Sequence, residues 1–154
     1  MKADAFANAA GIVLDTFHFT DLHRTLELNP SEIERFLCSL RDVVNGKAPL
    51  EPLLKGRETA SRARVPKVAV ETRIGFDDGS SAHSTLLEIV AQDRPGLLYD
   101  IGSTLARLAC NIEVALIDTE GQKVIDVFYL TEQGKKLSTE KQESLRQALS
   151  AALI

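Results

Sequence analysis

Two segments of the chain share one pattern of apolar and polar positions. Residues 12–20 read IVLDTFHFT and residues 123–131 read KVIDVFYLT, and each has an Asp and a Phe at matching points before a closing Thr. A second short apolar run precedes each segment, with Gly11 or Gly121 in the turn between the two runs. Short runs rich in Val, Ile and Phe around a Gly turn are typical of β-hairpins. The pattern therefore predicts two hairpins that belong to an internal repeat.

A helix is predicted after each hairpin. The first begins with an Asn29 cap, a Pro at its first position and Glu32 three residues after the cap, and it ends at Asn45-Gly46. Its apolar positions recur at helical spacing. They are Ile33, Phe36, Leu37, Leu40 and Val44. The second helix runs from Ser138 to the end of the sequence, so the order strand, strand, helix occurs twice.

The second copy has further elements in front of it. Residues 84–91 predict a strand and residues 95–109 an amphipathic helix, and both precede the hairpin that begins at Asn111. The order is then βαββα, one strand short of the ferredoxin-like pattern. Residues 67–76 are the candidate for the missing strand. A hairpin would place it beside the first strand of the module, although pairing elsewhere stays open. We therefore predict an α+β fold: a circularly permuted ferredoxin-like module, βαββα with a preceding strand in the last-strand position, plus an N-terminal ββα half-module.

These patterns divide the chain into three parts. Residues 1–46 are the half-module, residues 47–65 a linker that contains Pro and Gly, and residues 66–154 the complete module. A hairpin with one helix buries little apolar surface by itself. The half-module is expected to pack on the complete module, to pair with its counterpart in a second chain, or to be poorly ordered. We favour the second arrangement.

Composition narrows the class of protein. The chain has 154 residues, 44% of them hydrophobic, a net charge of −4 and a pI near 5.4. An acidic chain with 5% aromatic residues argues against nucleic-acid binding, and no apolar run is long enough to cross a membrane. The N-terminus lacks the apolar stretch of a secretory signal, and Cys38 and Cys110 stand far apart. We therefore expect a cytoplasmic protein with reduced thiols.

The sequence contains no arrangement that predicts catalysis or metal binding. GxSxG, P-loop and Cys/His patterns are missing, and His18, His23 and His83 lack metal-ligand spacing. We therefore predict no enzyme activity, no catalytic residues, no metal and no cofactor. Asp126 stands within an apolar strand, and its repeat partner is Asp15. Since a carboxylate that faces a core needs hydrogen bonds, both are expected to accept one from a neighbouring backbone amide.

The sharpest local signal is AQDRPGLL at residues 91–98, where a strand passes into a helix. Pro95 is predicted at the start of the helix and Asp93 as its cap. Gly96 has no side chain to obstruct an approach to the backbone. Free amides at the start of a helix attract anions, so a carboxylate ligand can dock there while Asp93 meets an ammonium group. An ordinary tight turn with a cap is the alternative.

A family resemblance rests on these segments. DRPGLLYDI at 93–101, Asn111-Ile112 and VIDVFYLT at 124–131 resemble an ACT domain. Together with RVPKVAVETRIGFDD at 64–78, they resemble the C-terminal tandem ACT region of the bacterial bifunctional uridylyltransferase/uridylyl-removing enzymes, which modify the nitrogen-regulatory protein PII. The resemblance implies an allosteric regulatory protein of nitrogen metabolism that senses a small amino acid, with glutamine suspected. It also implies a homodimer or higher homo-oligomer with the ligand at an interface between ACT modules.

By the same resemblance, the ligand contacts come from the loop and from a facing strand. They are Asp93, Arg94, Pro95, Gly96, Leu97, Leu98, Asn111 and Ile112. The nucleotidyltransferase and phosphohydrolase regions of those enzymes are not found in this sequence, so the chain is expected to regulate rather than to catalyse. The alternative is a ligand-free dimerisation or protein-interaction module, or a truncated remnant of a uridylyltransferase.

Overall fold

The computed structural model describes residues 2–8, 10–21, 24–50, 52–53 and 69–153. The chain forms two compact units, one built from residues 1–18 and 66–154 and the other from residues 19–65. The predicted boundaries of the half-module, linker and complete module stay a prediction. Most of the predicted linker, and the first two residues of the predicted 67–76 strand, lie outside the described residues.

The described part of the first unit contains an antiparallel sheet of six strands. The strands are β1 (Lys2–Ala7), β2 (Val13–His18), β3 (Arg73–Asp77), β4 (Thr85–Gln92), β5 (Asn111–Glu120) and β6 (Lys123–Thr131). Their order across the sheet is β2-β1-β5-β6-β4-β3. Burial alternates along β4 and β6, because successive side chains of a strand point to opposite faces and one face lies against the core.

Four helices lie within the described ranges. α1 (Thr25–Leu28) and α2 (Pro30–Val44) belong to the second unit, and α3 (Leu97–Arg107) and α4 (Thr139–Ala152) to the first. α2 begins as predicted, since the Asn29 side chain accepts a hydrogen bond from the Ser31 amide at 3.2 Å. The Ser138 side chain caps α4 in the same way, by accepting from the Lys141 amide at 3.2 Å.

The predicted circular permutation is confirmed. β3 pairs antiparallel with β4, with Arg73 opposite Val90 and Asp77 opposite Leu86. It thereby fills the outer position beside the first strand of the module, where the last strand of a ferredoxin-like fold would lie. The strand is shorter than predicted, because it begins at Arg73.

The N-terminal hairpin extends the same sheet. β1 pairs antiparallel with β5, with Lys2 opposite Asp118 and Phe6 opposite Val114. This corresponds to packing of the hairpin on the complete module, the first of the three arrangements considered for the half-module. The favoured pairing with a second chain stays a prediction. The repeat itself is visible in the turns, because Gly11 and Gly121 both adopt positive φ angles, of 76° and 65°.

The core of the first unit is formed by one face of the sheet with α3 and α4. Fully buried side chains come from β4, α3, β6 and α4. They are Leu87, Ile89, Ile101, Leu105, Phe128, Leu145 and Leu149. A polar anchor closes one end of this core: the buried Thr85 hydroxyl donates to Asp78 at 2.6 Å and accepts from the Leu137 amide at 3.0 Å. This anchor joins the β3–β4 turn to the segment before α4.

Several large apolar side chains are exposed. The predicted apolar face of α2 is one such set, with Leu40 50% and Val44 76% exposed. β2 is the other, with Leu14 66% and Phe17 57% exposed. No helix among the described residues is long and apolar enough to cross a membrane.

Candidate functional site

The segment between β4 and α3 is a tight turn rather than a capped helix start. The Leu97 amide donates to the Arg94 carbonyl at 3.2 Å, and Gly96 has φ 83° and ψ −4°. Pro followed by Gly at a positive φ is the arrangement of a type II turn. The helix therefore begins at Leu97, with Gly96 as its cap residue and no side-chain cap. The predictions that Asp93 caps the helix and that Pro95 starts it are wrong, because the turn places both before it.

The start of this turn is tied to the β5–β6 turn. The Gln122 carbonyl accepts from the Asp93 amide and from the Gln92 side-chain amide, each at 2.8 Å. The Gln92 side-chain carbonyl in turn accepts from the Val70 amide at 3.2 Å. Gln92 thus links the approach to β3, the end of β4 and the β5–β6 turn, a role that was not predicted. Its place within the 91–98 segment was the available signal.

Arg94 is held by contacts within the chain. Its guanidinium forms an ion pair with Asp100 of α3 at 2.6 Å and donates to the Ala152 carbonyl at 3.0 Å. The side chains of the ion pair are 36% and 33% exposed, so solvent weakens their attraction. Arg94 therefore connects the start of α3 to the last turn of α4, and its predicted contact with a ligand stays a prediction.

The remaining loop residues divide between surface and core. Asp93 and Pro95 are exposed, Gly96 and Leu98 are half-buried, and Leu97 is only 4% exposed. The Asp93 carboxylate has no hydrogen-bond or ion-pair partner among the residues described, so it is available to a cation. A ligand at this turn would meet Asp93, Pro95 and the backbone at Gly96 before it met either Leu.

Asn111 and Ile112 lie at the opposite end of the sheet. Gln92, next to the turn, is opposite Lys123, whereas Asn111 is opposite Thr131. Eight residues of β6 separate these two levels, which corresponds to about 27 Å. The Asn111 side chain donates to the Thr131 hydroxyl at 3.3 Å. One small ligand cannot touch both groups within a single module, so the predicted set requires two modules side by side.

Asp126 is the unusual polar residue of the core. It is 1% exposed, and within the described part of the chain neither carboxylate oxygen has a hydrogen-bond partner. Its neighbours on the adjacent strands are Ile89 and Ile117. Burial raises the pKa of Asp126 to about 7, and the Asp93 and Asp118 carboxylates add to the shift. The Asp118 backbone amide opposes the shift, although it does not meet the geometry of a hydrogen bond to either oxygen.

The predicted hydrogen bond from Asp126 to a backbone amide is therefore wrong. The strand directs the side chain into an apolar layer, where the backbone amides are already engaged in the sheet ladder. Asp15, the repeat partner, is exposed on β2, so its carboxylate stays in contact with solvent. The sequence repeat thus places the two carboxylates in different environments.

Metal-ligating and thiol groups are scattered over the described residues. No group of three or more His, Cys, Asp and Glu side chains in these ranges could hold a metal ion, and His23 lies outside them. Cys38 is exposed and Cys110 buried, both as free thiols. Burial raises the pKa of the Cys110 thiol, which makes it a poorer nucleophile at neutral pH.

A comparison with known protein families identifies the fold family. A family model described as "ACR9-like, ACT-like domain" matches residues 73–154, more than half of the chain. The chain belongs to the ACT-like domain family. In this ACT-like domain the matched range runs from β3 through α4, so it contains both the Asp93–Leu98 turn and Asp126.

Several similar curated proteins carry the name bifunctional uridylyltransferase/uridylyl-removing enzyme. The protein of Vibrio cholerae is 36% identical in an alignment of 155 positions that covers 96% of this chain. The protein of Caulobacter vibrioides is 33% identical in an alignment of 157 positions, gaps included, that covers 98% of the chain. The protein of Rhodospirillum rubrum is 32% identical over 145 residues, 93% of the chain. The ACT-like chain spans 16% of the length of each of these relatives. The resemblance to their ACT region is confirmed.

Proposed function

We propose that this ACT-like domain is a regulatory sensor of a small amino acid, with glutamine as the first candidate, in the control of nitrogen metabolism. The observation that carries the proposal is the Pro95-Gly96 turn, which leaves the backbone at the start of α3 without a covering side chain. The names of the relatives describe uridylyl transfer and removal. In our proposal this chain regulates and does not itself catalyse.

The ligand would lie between two modules. Its carboxylate would approach the amides at the start of α3, where the partial positive charge of the helix favours an anion. Its ammonium group would meet the exposed Asp93. Asn111 and Ile112 of the neighbouring module would face the turn, since within one module they lie about 27 Å from it. A homodimer, with residues 66–154 as the ACT domain and residues 1–46 as the half-module joined by the 47–65 linker, would provide that neighbour.

Regulation would follow from a difference in affinity. A ligand shifts the arrangement of two modules only if it binds one arrangement more tightly than the other. A ligand that bridges the turn of one module and the β5 strand of the next has this property, because the bridge exists in one arrangement only.

Thermal unfolding in the presence of each of the twenty amino acids tests the proposal. A ligand at 100 times its dissociation constant stabilises the folded protein by about 2.7 kcal/mol, so a selective rise in melting temperature identifies it. Equal melting temperatures with all twenty would refute the sensor function.

Two glycine variants test the location of the site. Gly96 and Gly134 have φ angles of 83° and 73°, and an added Cβ would meet nothing within 4 Å at either position. Gly96→Ala and Gly134→Ala therefore cause a similar strain, about 1–2 kcal/mol. Only Gly96→Ala should lose the amino-acid response, because its methyl group occupies the approach to the turn. Equal responses of the two variants would place the ligand elsewhere.

A ligand-free interaction module is the second candidate function, and the exposed apolar side chains favour it. Leu40 on α2 and Phe17 on β2 belong to two apolar sets that are about half exposed. Exposed apolar patches of this kind mark protein-interaction surfaces. This candidate, like a remnant of a uridylyltransferase, predicts no response to any amino acid; a stable oligomer in solution would then distinguish the module from the remnant.

A further inference from the structure

The two hairpins of the sheet are related by an approximate two-fold axis. β1 and β5 are the equivalent strands of the internal repeat, and they pair antiparallel with Asp4 opposite Leu116 at the centre. In its own hairpin Asp4 is opposite Thr16, and Leu116 is likewise opposite Val127. Thr16 and Val127 each follow the repeated Asp, so Asp4 and Leu116 are equivalent residues. A half-turn about this pair therefore carries β5 and β6 onto β1 and β2.

The two-fold axis reveals an open position in the sheet. β4 pairs with the outer edge of β6 over eight residues, from Thr85 opposite Leu130 to Gln92 opposite Lys123. The symmetric position is the outer edge of β2. Among the described strands none pairs there, because β2 is the outermost strand of the sheet. The first hairpin thus has a free edge where the second hairpin has β4.

The side chains of β2 suit an inner strand better than an edge. Phe17 is opposite the buried Ala3, so Phe17 and Val13 both point to the core side of the sheet. Val13 is 61% and Phe17 57% exposed, whereas the equivalent Val124 and Phe128 are 3% and 2% exposed. The second pair is covered by β4, α3 and α4, which share its core. An edge strand that exposes large apolar side chains is a site for pairing with another chain.

The opposite edge of the sheet is arranged differently. Arg146 of α4 donates to the Ile74 carbonyl on the outer edge of β3, and its guanidinium lies 5.1 Å from the centre of the Phe76 ring. A charged side chain over a strand edge is a common protection against pairing. All six residues of β2, in contrast, are exposed. The open edge is therefore the one beside β2.

The complete module indicates which kind of element fits this edge. The equivalent edge of β6 is occupied by β4, and the turn and α3 follow, so that one segment supplies both a strand and a covering helix. A second copy of this chain cannot donate its own β4–α3 segment. Its β4 is paired on both sides, with β6 and β3, and Ile101 and Leu105 of its α3 are fully buried. The occupant is therefore a segment of a different polypeptide.

We propose that the outer edge of β2 and the core side of the N-terminal hairpin bind a strand–helix segment of another polypeptide chain. The partner strand adds to the sheet beside β2, main-chain hydrogen bonds provide affinity, and alternate apolar side chains meet Val13 and Phe17. Between these two lies Asp15, so a Lys or Arg of the partner at the opposite position balances its charge. The inference does not depend on amino-acid binding by the chain.

The test uses a synthetic peptide of residues 83–109, which contains β4, the turn and α3, as the probe. Hydrogen exchange of the full-length protein is followed by mass spectrometry with and without the peptide. At about ten times its dissociation constant, the peptide should slow exchange of the β2 amides about tenfold, because about one-tenth of the protein stays free. A peptide with Leu87→Glu and Ile89→Glu should give no protection. A peptide with Ile89→Lys, which sets a cation opposite Asp15, should bind up to about fivefold more tightly than the unchanged peptide.

Two protein variants test the face of the strand. Phe17→Ser and Leu14→Ser each remove a side chain that is more than half exposed, so neither should disturb the fold. Phe17 lies on the core side, where the helix of the partner would cover it, and Leu14 on the opposite side of the strand. Phe17→Ser should weaken peptide binding at least about tenfold, whereas Leu14→Ser should keep most of it. Equal losses in the two variants would overturn the proposed surface.

A fusion makes the test independent of the solubility of the peptide. Residues 83–112 are repeated directly before Met1, so that Met1 follows residue 112 as Glu113 does in the chain itself. The β2 amides of this fusion should be protected without added peptide, and its binding of the dye ANS should fall because apolar surface is covered. The inference is overturned if neither the peptide nor the fusion protects β2. It is also overturned if β2 is already protected in the wild-type protein alone: protection that rises with protein concentration would assign the edge to a second copy, and constant protection to a segment of the same chain.

Discussion

Asp126 should make the first unit less stable as the pH rises, which is the reverse of the usual behaviour of a carboxylate. Its pKa in the folded protein is about 7, against an ordinary value of 3.8. The folded state therefore binds the proton more tightly than the unfolded state. The resulting stability is fully present below about pH 4 and is lost as the pH rises through 7. The shift corresponds to about 4 kcal/mol when complete.

The measurement is the free energy of unfolding by denaturant at several pH values. Between pH 5 and pH 8 the wild-type protein should lose about 3 kcal/mol, and Asp126→Asn should lose almost nothing over the same interval. The pH slope is the useful quantity, because a buried Asn amide without partners adds a cost of about 1–3 kcal/mol that does not depend on pH.

The interval from pH 5 to pH 8 also separates Asp126 from other carboxylates. Hydrogen bonds from Ser80 lower the pKa of Asp77, and those from Thr85 and Gln142 lower the pKa of Asp78. The stability that these two groups contribute is lost only as the pH falls through their folded pKa values, below 3.8. A wild-type stability that stays constant or rises from pH 5 to pH 8 would refute the reasoning about Asp126.

Three further predictions concern the packing of the first unit. Thr85→Val removes the hydroxyl that accepts from the Leu137 amide and should lower the free energy of unfolding by about 1–3 kcal/mol. Thr85→Ser keeps the hydroxyl and should retain most of the wild-type stability. Equal losses in the two variants would exclude the hydrogen bonds as the cause. Arg146 donates to the Ile74 carbonyl on the outer edge of β3 and lies 5.1 Å from the centre of the Phe76 ring. Arg146→Ala should therefore lower the melting temperature and increase light scattering on heating, because it uncovers a strand edge. In Arg146→Lys the increase in scattering should be smaller but not absent. Unchanged scattering in Arg146→Ala would show that other groups protect the edge. A double-mutant cycle of Arg94→Gln and Asp100→Asn should give a coupling of about 0.2–1 kcal/mol, since both side chains are one-third exposed, and a larger value would mean that the pair is desolvated in solution.

Local patterns were sufficient to predict most elements. α2 begins at its Asn29 cap and ends at Val44 because the cap, the Pro and the helical spacing act within a few residues. The two hairpins follow from their alternation and from glycines that adopt positive φ angles. The Pro95-Gly96 pair is typical of a type II turn, so the sequence also allowed the prediction that α3 begins after Gly96.

The candidate site was predictable only in part. The 93–98 segment was found because a strand, a Pro-Gly pair and a helix follow one another in the sequence. The ion pair and the hydrogen bond of Arg94 were not predictable, since its partners Asp100 and Ala152 lie on α3 and at the end of α4. That Asn111 lies at the other end of the sheet depends on the register of β4, β5 and β6. Register is set by pairing between distant segments.

The sequence by itself determined the repeat, the strands and helices, the permuted order and the family, because these depend on spacing along the chain and on residues at turns. Tertiary structure alone decided that the N-terminal hairpin pairs with β5, that Gln92 ties three segments together, and that Asp126 lies in an apolar row. The two matching Asp residues show the reason most clearly. Asp15 and Asp126 share a sequence context, but Asp15 lies on the edge strand β2, which is open to solvent. Asp126 lies on the inner strand β6, and its side chain is buried in the core. Burial, and with it the pKa of a carboxylate, depends on what packs around the strand and not on the strand's own residues.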